Sequence, residues 1–349
     1  MTQHPPDKPL PLALTMGEPA GIGPELALKV WINRQQFNTP PFVLIASRSQ
    51  MTRCARELGY DAVFQQVDSP VEATRVFPHA LPLLCLKADC DVSPGQLDPS
   101  AGASITGSIE TAVQLALAGE VCGIVTNPIH KKNLYDSGFS FPGHTEFLSY
   151  LSASASRAPM AVMMLQGGGL RTVPVTIHIP LAQVPAALTT ELIVSTAEIV
   201  QRDLIRNFGI ETPRLALAGL NPHAGENGAL GIEEITVIQP AIEELKSCGI
   251  NVRGPLPADT MFHEKARKHY DVAMCMYHDQ ALIPVKTLGF DTGVNITLGL
   301  DFIRTSPDHG TACDIAGQGV ADPGSLIEAL KTAAQMASHR QKYNKKTGS

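Results

Sequence analysis

The sequence predicts an α/β protein built on mostly parallel sheet, and three observations carry that expectation. Short apolar runs alternate with longer stretches of helical periodicity, the pattern of strands covered by helices. Several of these runs end in loops rich in glycine, proline and histidine, the setting in which open α/β sheets bind ligands. The 349 residues, 44% hydrophobic and 17% charged, suffice to bury two cores, so the chain forms two globular domains or one large unit.

Apolar runs predict strands at 10–15, 42–46, 81–86, 121–126, 160–165, 215–218, 272–276 and 294–297. Helical periodicity predicts helices at 24–33, 104–118, 190–208, 231–248 and 324–338. In the third, Leu192, Ile193, Ile199, Val200, Leu204 and Phe208 fall on one face. Pro24 suits a first helical turn, and Gly249 suits a helix stop. Residues 166–170, Gln-Gly-Gly-Gly-Leu, read as a tight turn between two strands, because glycine tolerates positive φ. There is no internal repeat, and no change of composition marks a domain boundary.

A net charge of −6 gives no general attraction for nucleic acid, and the basic cluster from His339 to Lys346 reads as a solvated tail. The first residues lack a basic stretch followed by a long apolar run, and no window matches a membrane span. Seven cysteines, with no CxxC pair, suit reduced thiols. The expectation is therefore a cytoplasmic protein with neither nucleic-acid nor membrane partners.

Three histidines stand where an apolar strand gives way to a polar or proline-bearing loop: His178, His223 and His278. Neutral imidazole is a common ligand of divalent first-row metals, and three protein ligands with an open position form a catalytic arrangement. Taken singly, each reads first as a loop or capping residue. Their shared setting puts a common cation on an equal footing with that reading. Asp259 is either a helix cap or a base, and Asp279 is suited to orient His278 as a hydrogen-bond acceptor.

Residues 16–25, Met-Gly-Glu-Pro-Ala-Gly-Ile-Gly-Pro-Glu, follow the first strand and open a helix. They match neither GxGxxG nor a P-loop, so close packing of strand on helix is preferred to an anion site. Thr145 has a helix-cap reading beside a binding one. Lys286, Asn295 and Arg304 offer two cations and an amide to a phosphate or carboxylate, and surface ion pairing is their ordinary alternative.

Residues 308–323 resemble the adenosine-binding loop of the isocitrate and isopropylmalate dehydrogenase superfamily, on the pattern His309-Gly310, Asp314 and Ala321-Asp322-Pro323. The departure is Asp322, where that superfamily commonly carries asparagine. Eight blocks in order, from 15–25 through 126–131, 143–147, 219–226, 254–260, 276–280, 293–299 and 302–305, resemble the 4-hydroxythreonine-4-phosphate dehydrogenase family. The resemblance implies an isopropylmalate dehydrogenase-like fold of two α/β/α domains with the active site in the cleft between them. Residues 1–137 plus 290–349 would bind nucleotide, and 138–289 would carry metal, substrate and the dimer contact.

The same resemblance implies that His178, His223 and His278 bind zinc, magnesium or cobalt, with His278 reaching into the partner's cleft of a homodimer. His144 and Asp259 become the catalytic pair, and His144, Thr145, Lys286, Asn295 and Arg304 the substrate-binding residues. His309, Gly310, Asp314 and Asp322 face NAD or NADP, the acidic Asp314 favouring NAD. The implied reaction oxidises C3 of 4-phosphooxy-L-threonine, and the β-keto acid then loses CO2. A sibling enzyme acting on threonate or erythronate 4-phosphate, and a phosphate acyltransferase of the same fold, are the alternatives.

Overall fold

The computed structural model describes residues 10–153 and 159–348, so the start of the N-terminal stretch searched for a leader lies outside the described residues. Among them run twelve strands: β1 Leu12–Thr15, β2 Phe42–Ala46, β3 Phe64–Gln66, β4 Leu81–Cys85, β5 Ile124–Val125, β6 Val162–Gly167, β7 Leu170–Pro174, β8 Leu215–Ala218, β9 Val252–Leu256, β10 Val272–Cys275, β11 Val294–Leu298 and β12 Arg304–Pro307. The chain divides into two compact units, 1–160 with 300–337, and 161–299 with 338–349.

In the first unit the strand order is β3-β4-β2-β1-β5-β12, parallel throughout. Every residue of β1 and β2 is buried, which is why these strands read as continuous apolar runs. The order reverses at β1, whose neighbours are β2 on one side and β5 on the other. At such a switch point the connections leave in opposite directions and open a crevice at the carboxyl ends of the strands. Three segments start there: 16–23 after β1, 126–131 after β5, and 308–322 after β12.

In the second unit the order is β11-β6-β7-β10-β8-β9. β11 and β7 lie antiparallel to β6, whereas β7, β10, β8 and β9 run parallel to one another. The core under them includes Leu165, Leu170, Ala216, Ala273, Cys275 and Val285. The helix Thr190–Phe208 forms as expected, with Thr189 Oγ1 accepting from the Leu192 amide and Gly209 closing it at φ 67°.

Other elements differ from the expectation. The stretch predicted as one helix at 231–248 is a π-helical turn, Glu234–Ile238, followed by the α-helix Gln239–Ser247. The last helix runs to Thr347, well beyond 338. The helix His278–Gly289 contains Pro284, which disguises it in the sequence. The helix Arg48–Glu57 buries only a short face of Gln50, Met51, Cys54 and Ala55 among polar residues, and the sequence predicts no helix there.

The turn of β6 into β7 is a two-residue hairpin, with Gly168 at φ 55° and Gly169 at φ 74°. A Cβ at Gly168 would sit 2.5 Å from Leu288 Cβ and 2.7 Å from the Leu288 carbonyl oxygen, whereas a Cβ at Gly169 meets nothing within 4 Å. Gly169→Ala should cost about 1 kcal/mol for the left-handed conformation alone. Gly168→Ala adds a clash with backbone and should cost roughly 3 kcal/mol or more. Urea unfolding of the two variants checks the difference.

Candidate active site

At the switch point of the first unit the glycine turn is a packing device. A Cβ on Gly17 would lie 2.6 Å from Asn127 Cβ, and one on Gly21 would lie 2.6 Å from the Thr311 carbonyl oxygen. The Glu18 amide donates to the Pro128 carbonyl at 2.9 Å, and the Ile22 amide to that of Thr311, also at 2.9 Å. Glycine at these positions lets the three segments touch backbone to backbone.

Arg304, at the start of β12, is only 4% exposed. Its Nε and Nη2 donate to Thr126 Oγ1 at 3.2 and 2.7 Å. Burial brings its pKa down to about 10, so the guanidinium remains charged at neutral pH. His144 opens the helix His144–Leu151, and its Nε2 is shut off from solvent without a hydrogen-bond partner. Burial, and then the charge of Arg304, push the imidazole well below the ordinary histidine range. A neutral ring with an unpaired buried nitrogen is held ready for a polar group of a ligand. Thr145 lies inside the helix, and Gly143 is the N-cap.

His309 sits in the loop after β12, with Nδ1 3.0 Å from the Gly310 carbonyl oxygen and Nε2 buried and unpaired. Burial lowers its pKa as well. Asp314 is exposed. Asp322 Oδ1 accepts from the Gly324 amide at 2.7 Å and so caps the last helix.

In the second unit the strand order sets the site. His178 follows β7, His278 follows β10, His223 follows β8 and Asp259 follows β9, in the order in which those parallel strands lie. Neighbouring strands bring His178 and His278 to 5.6 Å between ring centres. His278 Nδ1 lies 2.7 Å from Asp279 Oδ1, which orients the ring and leaves Nε2 as the nitrogen able to meet a ligand. A cavity of about 230 Å³ opens beside them, lined also by Thr176, Leu181 and Tyr277.

His223 lies one strand further along. Among the described residues no three His, Cys, Asp or Glu side chains close around a common point. His223 begins a left-handed turn, in which His223, Ala224, Glu226 and Asn227 have φ between 43° and 54°. Such a run costs about 1–2 kcal/mol per residue and persists only where the surroundings impose it. Here the buried Glu234 carboxylate accepts from the Asn221 amide at 2.7 Å and from Asn221 Nδ2 at 3.0 Å. Gln280 ties the loops together, accepting from the Met276 amide at 2.7 Å and donating to the Gly219 carbonyl at 2.8 Å. Asp259 is exposed in the 3-10 turn Ala258–Thr260, whose N-cap is Pro257. Lys286 stands near the end of its helix, 5.8 Å from the Phe290 ring, and Asn295 is half-buried in β11.

The family "Pyridoxal phosphate biosynthetic protein PdxA" matches residues 38–333. The chain belongs to the PdxA family. It is 52% identical over 335 residues to the 4-hydroxythreonine-4-phosphate dehydrogenase of Bradyrhizobium diazoefficiens, covering 94% of this chain and 97% of that one. To that of Methylorubrum extorquens it is 53% identical over 333 residues, with 95% of each chain covered. The crystal structure of the enzyme of the same name from Klebsiella pneumoniae superposes with a TM-score of 0.83 at 37% identity, covering 94% of this chain and 99% of the other.

Membership in the PdxA family makes the chain an oxidoreductase of pyridoxal phosphate biosynthesis. Of the residues singled out in the sequence, the first unit brings His144 and Arg304 together, and the second brings His178 and His278 together. Glu234 escaped the sequence, whereas Thr126, Asn221 and Gln280 stood in the blocks 126–131, 219–226 and 276–280 without a role of their own. No helix of the described residues is long and apolar enough to cross a membrane.

The depressed pKa values of His144 and His309 fix a pH dependence. Below the ordinary histidine pKa of 6.5 the unfolded chain binds protons that the folded rings refuse. Stability is therefore lost as pH falls through that value, more steeply on account of His144, whose pKa is the more strongly depressed. Thermal melts of the wild type between pH 7.5 and 5 should show the fall, and His144→Asn should reduce it.

Proposed function

We propose that this protein oxidises the C3 alcohol of 4-phosphooxy-L-threonine with NAD, or NADP, and that loss of CO2 leaves 3-amino-2-oxopropyl phosphate. The observation that carries the reading is His144, a neutral imidazole with its Nε2 buried and unpaired, beside the buried guanidinium of Arg304 in a chain of the PdxA family. The ring accepts the hydroxyl proton, and Asp259 is its catalytic partner. Arg304, with Thr145, Lys286 and Asn295, holds the anionic substrate. The charge of Arg304 survives burial, and its planar fork suits phosphate or carboxylate.

His178, His223 and His278 hold a divalent cation such as zinc, magnesium or cobalt, which their common setting at the ends of parallel strands and the Asp279 contact support. When bound, the cation would supply Lewis acidity and the nicotinamide a hydride acceptor. His309, Gly310, Asp314 and Asp322 face the adenosine half, and an exposed carboxylate at Asp314 suits a ribose hydroxyl better than a 2′-phosphate. The working form is a cytoplasmic homodimer in which His278 serves the partner's site. Ile179, Leu181 and Ile283 stand exposed near the two histidines, as an interface requires.

NADH formation followed by absorbance should occur with 4-phosphooxy-L-threonine and fail with threonate or erythronate 4-phosphate. The reverse preference would assign the sibling reaction. Chelation should abolish turnover, and Asp279→Asn should weaken cation binding, measured by calorimetry, by about tenfold or more. Mixing His178→Ala with His278→Ala subunits should restore a fraction of the activity, and no recovery would count against a shared site.

A further inference from the structure

We propose that Glu25 and Lys29 are positioning residues for the nicotinamide cofactor: as one ion pair on the first helix they hold the backbone of residues 317–321 in the shape that receives it. The proposal rests on the reading of 308–322 as the cofactor loop.

The two side chains stand one helical turn apart on the helix Gly23–Ile32, with Lys29 Nζ 2.9 Å from Glu25 Oε1. Glu25 is 1% exposed and Lys29 13%. Both reach out of the helix to the same stretch of backbone. The Gly317 amide donates to Glu25 Oε2 and the Ala321 amide to Glu25 Oε1, each at 3.2 Å. Lys29 Nζ donates to the carbonyl oxygens of Gly319 at 2.8 Å and Ala321 at 2.6 Å.

The arrangement is closed. An ammonium has three hydrogens, and here they meet one carboxylate oxygen and two carbonyls, while both oxygens of Glu25 accept amides. A buried ion pair overcomes its desolvation only when its remaining donors and acceptors are satisfied, and in this pair the loop backbone satisfies them. The loop needs the contact equally. It contains neither helix nor strand, its Gly317 and Ala321 amides find their acceptor in Glu25, and Gly317 and Gly319 take φ of 77° and 72°. Its other end is pinned to the same element by the Ile22 amide on the Thr311 carbonyl, across the gap that Gly21 leaves open.

An ion pair that merely stabilised the helix would bond within it or to a neighbouring element. This one spends all its hydrogen bonds beyond itself on three residues of one loop, Gly317, Gly319 and Ala321. The glycine turn and the helix it opens thus act on the cofactor indirectly, through the loop they shape.

The test is steady-state kinetics of Glu25→Gln and Lys29→Met with each substrate varied in turn, alongside thermal melts and His309→Ala as a loop control. The expected result is a KM for NAD raised roughly tenfold or more, with the KM for the phosphorylated acid and kcat at saturating NAD changed by less than about twofold. An unchanged KM for NAD in both variants, or a parallel rise of both KM values with a fall in melting temperature, overturns the proposal. Weaker NAD binding in His309→Ala alone overturns the clamp and leaves the loop's role standing, whereas no change in any of the three overturns both. Should the variants not fold, hydrogen exchange of the wild-type protein without cofactor decides: slow exchange at the Gly317 and Ala321 amides supports the clamp, and fast exchange overturns it.

Discussion

Everything chemical in this protein depends on parallel pairing of short buried strands. Because β1, β5 and β12 run the same way side by side, the loops after all three leave from one edge of the first sheet. Because β7, β10, β8 and β9 do the same in the second, three histidines and an aspartate leave from one edge there. The spacing between neighbouring strands, a little under about 5 Å, is then the ruler on which the side chains are laid out. It brings His178 to His278, and it sets His223 one strand further away.

The loops at these edges are not left to find their own shape. In the first unit, glycines without side chains let backbone lie on backbone, and the ion pair of Glu25 and Lys29 fastens the loop after β12. In the second, Gln280 and Glu234 serve in the same way, the one joining two histidine loops and the other holding a left-handed turn that a free chain would abandon. Buried polar side chains of this kind are costly alone and stabilising only when fully paired. They therefore make the geometry of the edges nearly all-or-none.

Electrostatics follows from the same burial. Arg304 and the Nε2 of His144 are withdrawn from water together. The guanidinium keeps its charge because its intrinsic pKa is high, and its field joins desolvation in keeping the imidazole neutral.

The sequence by itself determined the α/β class, the buried strands β1, β2, β8 and β10, the hairpin at Gly168, and the strand-end setting of all three histidines, since each is written in a local pattern of apolar period or glycine. It determined the family too, because eight ordered blocks are a signal that no single loop supplies. Local pattern left the helix around Pro284 hidden, and it did not show that Asp322 caps a helix or that Asp259 caps nothing. Only the tertiary structure decided which loops meet, which histidine is neutral, and that Glu25 and Lys29 grip residues almost three hundred positions away. Those facts arise from strand order and from desolvation, and both are properties of the folded whole that no window of sequence contains.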